Sequence, residues 1–282
     1  KTVVAAVSMY ISAKNNTQSV LLCPTEVLAE QHFKNFSAWF KNSNIKIELL
    51  TGKMPVSKRR GIYQDLEDGV IDILIGTHAV FQDKVKMKNL GLVVVDEQQR
   101  FGVKQRFDLV KKSSDQIMPH QLFMTATPIP RTLAMTIFAD LETSKIDELP
   151  PGRKPVETLV YSDKKKDEIV KRLETVCKSG NQVFWLCTMI EESENLDVQA
   201  ADEAKEWIKE NTNGLNIGLV HSKLSKDQRD KAIENFRSGK TDVLVCTTVI
   251  EVGMDVPNAS LMVIENAERL GLSQLHQLRG RV

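Results

Sequence analysis

Two adjacent carboxylates, Asp96 and Glu97, come directly after the apolar run from Leu92 to Val95. A buried strand is rigid, and the carboxyl ends of strands in open α/β sheets face the crevice where ligands bind. Mg²⁺ prefers a few carboxylates together with phosphate oxygens, and an acidic neighbour can position an attacking water. The pair therefore indicates a magnesium site with a water-activating partner. The residues alone leave a solvated acidic turn open as the alternative.

The first two residues, Lys1 and Thr2, precede an apolar segment that reads VVAAVSMYISA. They resemble the end of the motif G-x-x-x-x-G-K-[ST], in which the lysine reaches phosphates and the hydroxyl reaches Mg²⁺ at the start of a helix. The glycines of that motif are not among these residues. A phosphate site at Lys1 is therefore expected only in combination with the carboxylates.

Polar residues also follow the other apolar runs of the first half. The hydroxyls of Thr125 and Thr127 could connect two sites in the crevice, although a TxTP sequence equally fits a helix cap. A histidine after a strand, such as His78 or His221, is more simply explained by a turn or by packing. The carboxyl-terminal edge of the predicted sheet is called the rim below. The residues expected along it are Thr25, Glu26, Thr77, His78, Asp96, Glu97, Thr125 and Thr127.

Arginines near the end of the chain are a further candidate. Arg279 and Arg281 flank Gly280 after the helix-like residues 273–278. An arginine from a second lobe can stabilise the charge that develops on a transferring phosphoryl group. The alternative is a solvated helix end.

The elements that must position these residues are short apolar runs alternating with helical patterns. Apolar runs without alternation are typical of strands buried on both faces of a parallel sheet. Strands alternating with helices predict an α/β fold. The predicted strands are 19–23, 71–75, 92–95, 122–124, 183–187, 217–220, 243–246 and 261–264.

Helical spacing of apolar residues predicts helices over 26–41 and 165–179, the latter ended by Gly180. A third helix is predicted over 225–238, where Ser225 and Gln228 have the spacing of a capping box and Gly239 follows.

The stretch IDELPPGRKPV at residues 146–156 contains three prolines and a glycine, which cannot continue a helix or a central strand. It predicts a linker between two α/β lobes. The two halves match in pattern and not in residues, which suggests a repeat of architecture only.

Composition sets the cellular context. The formal net charge of 282 residues is +1, so any grip on nucleic acid must come from local groups. The four cysteines are far apart, as expected for core residues in a reducing compartment. No apolar run approaches the length of a membrane span. The missing initial Met and the abrupt end suggest a piece of a longer protein.

Six stretches in order resemble the motifs of superfamily-two helicases: PTEVLAEQHF, GTHAVF, VVVDEQQRFGV, MTATPIPRTLAM, TTVIEVGMDVPNA and ERLGLSQLHQLRGRV. Over their full length, these stretches are most similar to the RecG type of branched-DNA helicase. The Mfd type of translocase is the nearest competitor. IDELPPGRKPVET and MIEESENLDVQAA favour the RecG type. The resemblance implies two RecA-like lobes, 1–148 and 149–282, each a mainly parallel sheet flanked by helices, truncated at the amino and carboxyl terminus respectively.

The resemblance also implies roles for single residues. Lys1 and Thr2 resemble the phosphate-binding lysine and the magnesium-binding threonine, Asp96 the other magnesium ligand, and Glu97 the residue that activates water. Gly253 and Asp255 resemble second-lobe residues that approach the nucleotide, and Gln277 and Arg281 match Q-x-x-G-R. The residues similar to those that contact DNA, or couple it to the nucleotide site, are Thr25, Glu26, Gly76, Thr77, His78, Thr125, Thr127, Thr247 and Thr248. Gln99 stands where this group usually has His; it can form hydrogen bonds but cannot titrate.

The function that the resemblance implies is an ATP hydrolase with ATP and Mg²⁺ as cofactors. It would act as a monomeric, cytoplasmic bacterial-type helicase, associated with the nucleoid through its DNA, that remodels replication forks and Holliday junctions in recombination and repair. Branched or duplex DNA is the expected partner, and no membrane is expected. The alternatives are an Mfd-like duplex translocase or, for these 282 residues alone, a nucleic-acid-binding fragment without ATPase activity.

Overall fold

The computed structural model describes residues 1–97, 118–126, 142–148, 155–162, 165–188, 194–247 and 256–282. The chain divides into two compact units, Lys1–Pro128 and Ile129–Val282, called unit 1 and unit 2 below. The predicted boundary between residues 148 and 149 adjoins residues outside the described ranges, and it stays a prediction.

Unit 1 is built on a five-stranded parallel sheet in the order β2-β3-β1-β4-β5. Its strands are β1 (Gln18–Leu22), β2 (Ile47–Leu50), β3 (Ile73–Gly76), β4 (Leu90–Val95) and β5 (His120–Phe123). Its helices are α1 (Thr2–Lys14), α2 (Glu26–Trp39) and α3 (Val56–Glu67), with a short 3₁₀ helix at His78–Phe81.

Helices cover both faces of this sheet, which explains why its central strands are apolar throughout. Ala5 and Met9 of α1 pack with Phe36 of α2 on one face. Ile62 and Leu66 of α3 pack on the other. Every residue of β1 and β3 is buried, as the unbroken apolar runs predict for parallel strands.

Unit 2 repeats this plan with four parallel strands in the order β7-β8-β6-β9. Its strands are β6 (Gln182–Cys187), β7 (Ile217–Val220), β8 (Val243–Cys246) and β9 (Ala259–Glu265). Its helices are α4 (Lys166–Lys178), α5 (Glu194–Asn211), α6 (Lys226–Arg237) and α7 (Leu272–Arg279), with a short 3₁₀ helix at Ala267–Arg269.

Local sequence signals set several helix ends. Ser225 and Gln228 form the predicted capping box at the start of α6, each side chain bonding the backbone N–H of the other. The Thr25 side chain caps α2 in the same position. Gly180 and Gly239 have φ values of +84° and +75°, a left-handed conformation that favours glycine after a helix.

The two units share a buried glutamine with the same hydrogen bonds as well as a pattern of elements. From the sequence we predicted a repeat of architecture only. Gln18, at the start of β1, donates from Nε2 to the carbonyl oxygens of Leu66 (3.0 Å) and Ile71 (2.8 Å). Gln182, at the start of β6, donates from Nε2 to the corresponding carbonyls of Phe236 and Thr241. In both units one buried glutamine therefore ties the central strand to the turn between a helix and the next strand.

Candidate functional site

Asp96 is held from three directions at the carboxyl end of β4. Its backbone N–H donates to the carbonyl of Leu22 (2.9 Å), which continues the ladder between β1 and β4 by one residue. Its Oδ1 accepts from the backbone N–H of Glu97 (3.1 Å), and its Oδ2 lies 3.1 Å from Nε2 of His32. Asp96 is 8% exposed. The predicted strand-end carboxylate is therefore fixed in place and close to solvent.

Glu97 turns the chain away from the sheet. Its φ of +52° is left-handed and uncommon for a non-glycine residue. The Glu97 carboxylate lies 4.0 Å from the ammonium group of Lys1, with 21% of the Glu97 side chain exposed. At that distance and exposure the pair adds little stability. It does show that two residues predicted for one site from distant parts of the sequence lie side by side.

Lys1 and Thr2 stand at the amino-terminal end of α1. The Lys1 carbonyl accepts from the N–H of Ala5 (3.1 Å), so Lys1 is the residue that begins the helix. No side chain caps this end, and its first turn contains no acidic residue. The N–H groups and the positive end of the helix dipole suit an anion such as phosphate.

Thr25 and Glu26 follow β1, and both have structural partners. Thr25 Oγ1 accepts from the backbone N–H of Leu28 (3.3 Å), as expected for a helix cap. Its own hydroxyl hydrogen can still be donated to a ligand. The Glu26 carboxylate lies 2.9 Å from the ammonium of Lys53, whose side chain is 88% exposed. An exposed pair of this kind exchanges readily for another partner.

Gly76, Thr77 and His78 follow β3. A Cβ on Gly76 would lie 2.5 Å from the carbonyl oxygen of Leu50 and 2.6 Å from Val80 Cγ2, so packing alone requires glycine there. Thr77 is buried, and its N–H donates to Leu50 O (3.3 Å). His78 is exposed on the short 3₁₀ helix.

Thr125 follows β5, where the N–H of Met124 donates to the carbonyl of Val95 (2.8 Å) and keeps the two strands in register. Because β1, β3, β4 and β5 are parallel, their carboxyl ends lie at the same edge of the sheet. The structure thus brings Thr25, Thr77, Asp96, Glu97 and Thr125 to one edge of unit 1, as the sequence predicted.

In unit 2, Thr247 follows β8 and is buried, and its N–H donates to Val220 O (3.2 Å). Gln277 lies on α7, whose bounds include the helix-like residues 273–278 of the sequence analysis. Arg281 follows α7. Buried Leu278 anchors α7, and Arg279 donates from Nη2 to the carbonyl of Val156 (3.0 Å). Five predicted site residues lie outside the described ranges and stay predictions: Gln99, Thr127, Thr248, Gly253 and Asp255.

Sequence reasoning missed His32, whose side chain contacts the Asp96 carboxylate. His32 lies on the buried face of α2 between Ala29 and Phe36, and only 5% of its side chain is exposed. The sequence did contain a signal for this contact. His32 is a titratable residue at an apolar position of a helical stripe, and a buried polar group needs a hydrogen-bond partner.

The cysteines fit the expectation of free thiols. All four are free, and Cys23, Cys187 and Cys246 are buried. Burial raises the pKa of the Cys23 thiol well above its usual range, and the Asp96 carboxylate raises it further. Burial and Asp242 raise the pKa of Cys177 to about 11. Among the described residues no cluster of three His, Cys, Asp or Glu side chains has the geometry of a metal site. None of the described helices has the length and apolarity needed to cross a membrane.

Two helicase family models match the chain. The DEAD/DEAH box helicase model matches residues 1–136, and the helicase conserved C-terminal domain model matches residues 164–282. The structure of Saccharomyces cerevisiae Dbp5 L327V bound to RNA and ADP BeF3 is 18% identical, with a TM-score of 0.69 over 100% of this chain and 72% of that one. The fold and the matched models define a helicase core of two RecA-like lobes.

The particular family follows from nearer relatives. The ATP-dependent DNA helicase RecG of Haemophilus influenzae is 51% identical over 100% of this chain, which covers 41% of that protein. The RecG of Escherichia coli strain K12 is 50% identical with the same coverage. A structure of RecG bound to a three-way DNA junction is 40% identical, with a TM-score of 0.72 over 99% of this chain and 36% of that one. The chain belongs to the RecG family of helicases, and it spans about two fifths of the length of the curated relatives it matches.

Proposed function

We propose that the protein is an ATP-dependent DNA helicase or translocase that couples ATP hydrolysis to the remodelling of branched DNA, such as replication forks and Holliday junctions, in recombination and repair. The observation that carries this proposal is the rigid carboxylate pair at the end of β4, with the Lys1 ammonium 4.0 Å from Glu97. RecG relatives about 50% identical over the whole chain supply the substrate class.

The residues around Asp96 fit a magnesium–nucleotide complex. An uncapped helix start beside a lysine suits the phosphates, and a hydroxyl and a carboxylate are oxygen ligands that Mg²⁺ accepts. Lys1 would hold the phosphates, and Thr2 and Asp96 would hold the metal. Bound Mg²⁺ supplies charge neutralisation on the phosphate oxygens.

Within this site the chain's own carboxylates have separate tasks. Glu97 orients the attacking water and takes up its proton. Its carboxylate is partly exposed beside Lys1, so a water can reach it next to the proposed phosphate site. Asp96 is more buried and fixed by hydrogen bonds, which suits a ligand that must not move. From unit 2 we assign Arg281 to the charge on the transferring phosphoryl group, with Gln277 beside it in the motif. Gly253 and Asp255 are assigned to the approach to the nucleotide.

DNA is held by its backbone in this proposal. Hydroxyls, glycine N–H groups and helix starts can bind phosphates without contacting bases, which suits a motor that moves along any sequence. Thr25 illustrates the chemistry: its oxygen caps α2 while its hydrogen remains available to a phosphate. The full set assigned to DNA binding or coupling is Thr25, Glu26, Gly76, Thr77, His78, Gln99, Thr125, Thr127, Thr247 and Thr248.

The same proposal places the protein in the bacterial cytoplasm, on nucleoid DNA, as a monomer. Its support is the proposed substrate and the bacterial origin of the relatives.

The test is ATP hydrolysis by the full-length protein with forked DNA, linear duplex or RNA. We expect forked DNA to stimulate most, and Glu97→Gln to lower the stimulated rate roughly 100-fold, since general bases contribute at least that much. Glu67→Gln, an exposed residue at the end of α3, is the matched control and should retain the rate. Equal stimulation by linear duplex would favour an Mfd-like translocase. No DNA-dependent hydrolysis would contradict the proposal and leave a nucleic-acid-binding module.

A further inference from the structure

His32 presents one nitrogen to Asp96 and the other to the apolar interior. Its Nε2 lies 3.1 Å from Asp96 Oδ2. Its Nδ1 is buried and has no hydrogen-bond partner among the residues that the structure describes. The edge of the ring packs against Phe36, with the two ring centres 5.9 Å apart. The ring is therefore fixed between a carboxylate and a hydrophobic core.

The geometry assigns the donor at this contact. A carboxylate oxygen accepts hydrogen bonds, so the hydrogen between the two side chains lies on Nε2 of His32. His32 then donates to Oδ2 while the N–H of Glu97 donates to Oδ1, so the plane of the carboxylate is fixed at both oxygens.

Hydrogen bonds to both oxygens fix the orientation of a carboxylate without using all of its lone pairs. Each oxygen keeps a further lone pair for another ligand. Hydrogen-bond partners behind a ligating carboxylate commonly set metal affinity, and their loss typically costs about 10- to 100-fold. Unit 2 provides a contrast, because the carboxylate of Glu265 at the end of β9 lies 2.8 Å from the cationic Lys166.

We propose that His32 is a positioning residue that holds the Asp96 carboxylate in the orientation needed to bind the magnesium ion of a nucleotide. This inference rests on the proposed function of Asp96 and extends it to a residue on a different element.

The test compares two replacements in the full-length protein. His32→Met is close in size and lacks a donor, whereas the side-chain amide of His32→Gln can reach the position of Nε2. Ile73→Val is the matched control, because it loosens the same apolar core from β3, a different element from those of His32 and Asp96. The measurements are Mn²⁺-dependent binding of a non-hydrolysable ATP analogue by calorimetry, the Mg²⁺ concentration for half-maximal hydrolysis, and Tm.

We expect His32→Met to raise the required metal concentration about 10- to 100-fold and His32→Gln to restore it to within about threefold of the original protein. Ile73→Val should lower Tm with no change in metal requirement. If His32→Met lowers Tm alone, or if His32→Gln is as impaired as His32→Met, His32 only fills space and the inference is wrong. If the original protein shows no metal-dependent nucleotide binding, the proposed function and this inference both fail.

Discussion

Strand β4 of unit 1 and strand β9 of unit 2 each end at a carboxylate that is followed by a residue with left-handed backbone. Asp96 follows β4, and the next residue, Glu97, has φ +52°. Glu265 ends β9, and the next residue, Asn266, has φ +48°. A cysteine lies near each of these strand ends. Cys23 follows β1, the strand beside β4, and Cys187 ends β6, the strand beside β9. Burial and Asp96 raise the pKa of Cys23, and burial and Glu265 raise that of Cys187.

The partners of the two carboxylates differ. Asp96 is held by His32 and a backbone N–H, whereas Glu265 forms a 2.8 Å ion pair with Lys166, whose ammonium also lies 5.5 Å from the centre of the Trp207 ring. Thr188 also donates to the Glu265 carbonyl (2.9 Å), tying β6 to the turn. We propose that the Asp96 carboxylate binds a ligand, whereas Lys166 neutralises the Glu265 carboxylate and anchors the segment that leads to α7. In both units the strand end supplies the carboxylate, and the neighbouring side chain determines its use.

The largest expected effect comes from exchanging each carboxylate for its amide. Asp96→Asn should reduce ATP hydrolysis by the full-length protein roughly 100-fold or more, because a bound metal contributes several kcal/mol to phosphoryl transfer. Glu265→Gln should leave the rate within about threefold, since Lys166 already neutralises that charge. Steady-state hydrolysis rates decide this. Similar losses in both variants would show that the two turns are not functionally distinct.

A second prediction concerns how tightly unit 1 packs behind its rim. Gly76→Ala should lower the free energy of unfolding by about 2 kcal/mol, because the new Cβ would lie 2.5 Å from the backbone oxygen of Leu50 and the strand would have to move. Gly61→Ala in α3 should instead raise it by about 0.5–1 kcal/mol, because nothing lies within 4 Å of that Cβ and alanine favours the helix.

Urea unfolding measured by circular dichroism checks both glycine variants. If Gly76→Ala proved as stable as the original protein, this would contradict close packing behind β3.

The third prediction addresses the anchor in unit 2. Lys166→Met removes the partner of a Glu265 side chain that is only 18% exposed, and it should cost about 1 kcal/mol, a value already reduced for the 41% exposure of Lys166. Lys178→Met breaks an exposed pair with Glu174 and should cost clearly less than Lys166→Met, because solvent screens that pair. Chemical denaturation separates these values, and equal costs would mean that Lys166 is an ordinary surface residue.

The smallest effect distinguishes the two helix caps. Thr25→Ala in unit 1 and Ser225→Ala in unit 2 should each cost about 1 kcal/mol of stability, because each removes a side-chain cap. Only Thr25→Ala should also weaken DNA binding, since Thr25 lies on the proposed DNA rim. Fluorescence anisotropy with forked DNA tests this, and an equal loss of DNA affinity in both variants would argue against a direct contact at Thr25.

Sequence reasoning predicted most strands because parallel strands buried on both faces are continuous apolar runs. The predicted strands over 217–220 and 243–246 agree with β7 and β8 in both bounds. It missed β2, an edge strand in which Glu48 interrupts the apolar residues and the first three residues are only half buried. It also missed α3 and α5, which lie outside the predicted helices.

The candidate site was predictable to the extent that it lies at strand ends. Asp96, Glu97 and Lys1 came from motifs, and the fold places Glu97 beside Lys1. His32 could not be assigned because its role depends on α2 packing over the sheet, a tertiary contact between residues 64 positions apart. The ion pair of Lys166 with Glu265 joins residues 99 positions apart and escaped the sequence for the same reason.

The assignment of the β4 carboxylates is tested by measuring nucleotide binding and hydrolysis separately in Glu97→Gln of the full-length protein. The structure predicts that Mg²⁺–ATP binding, measured by calorimetry, stays within about threefold of the original, because Lys1, Thr2 and Asp96 are unchanged. Hydrolysis in a single-turnover assay should fall roughly 100-fold, because the water loses its base. Hydrolysis at the original rate would contradict the assignment of the β4 carboxylates as the hydrolytic site.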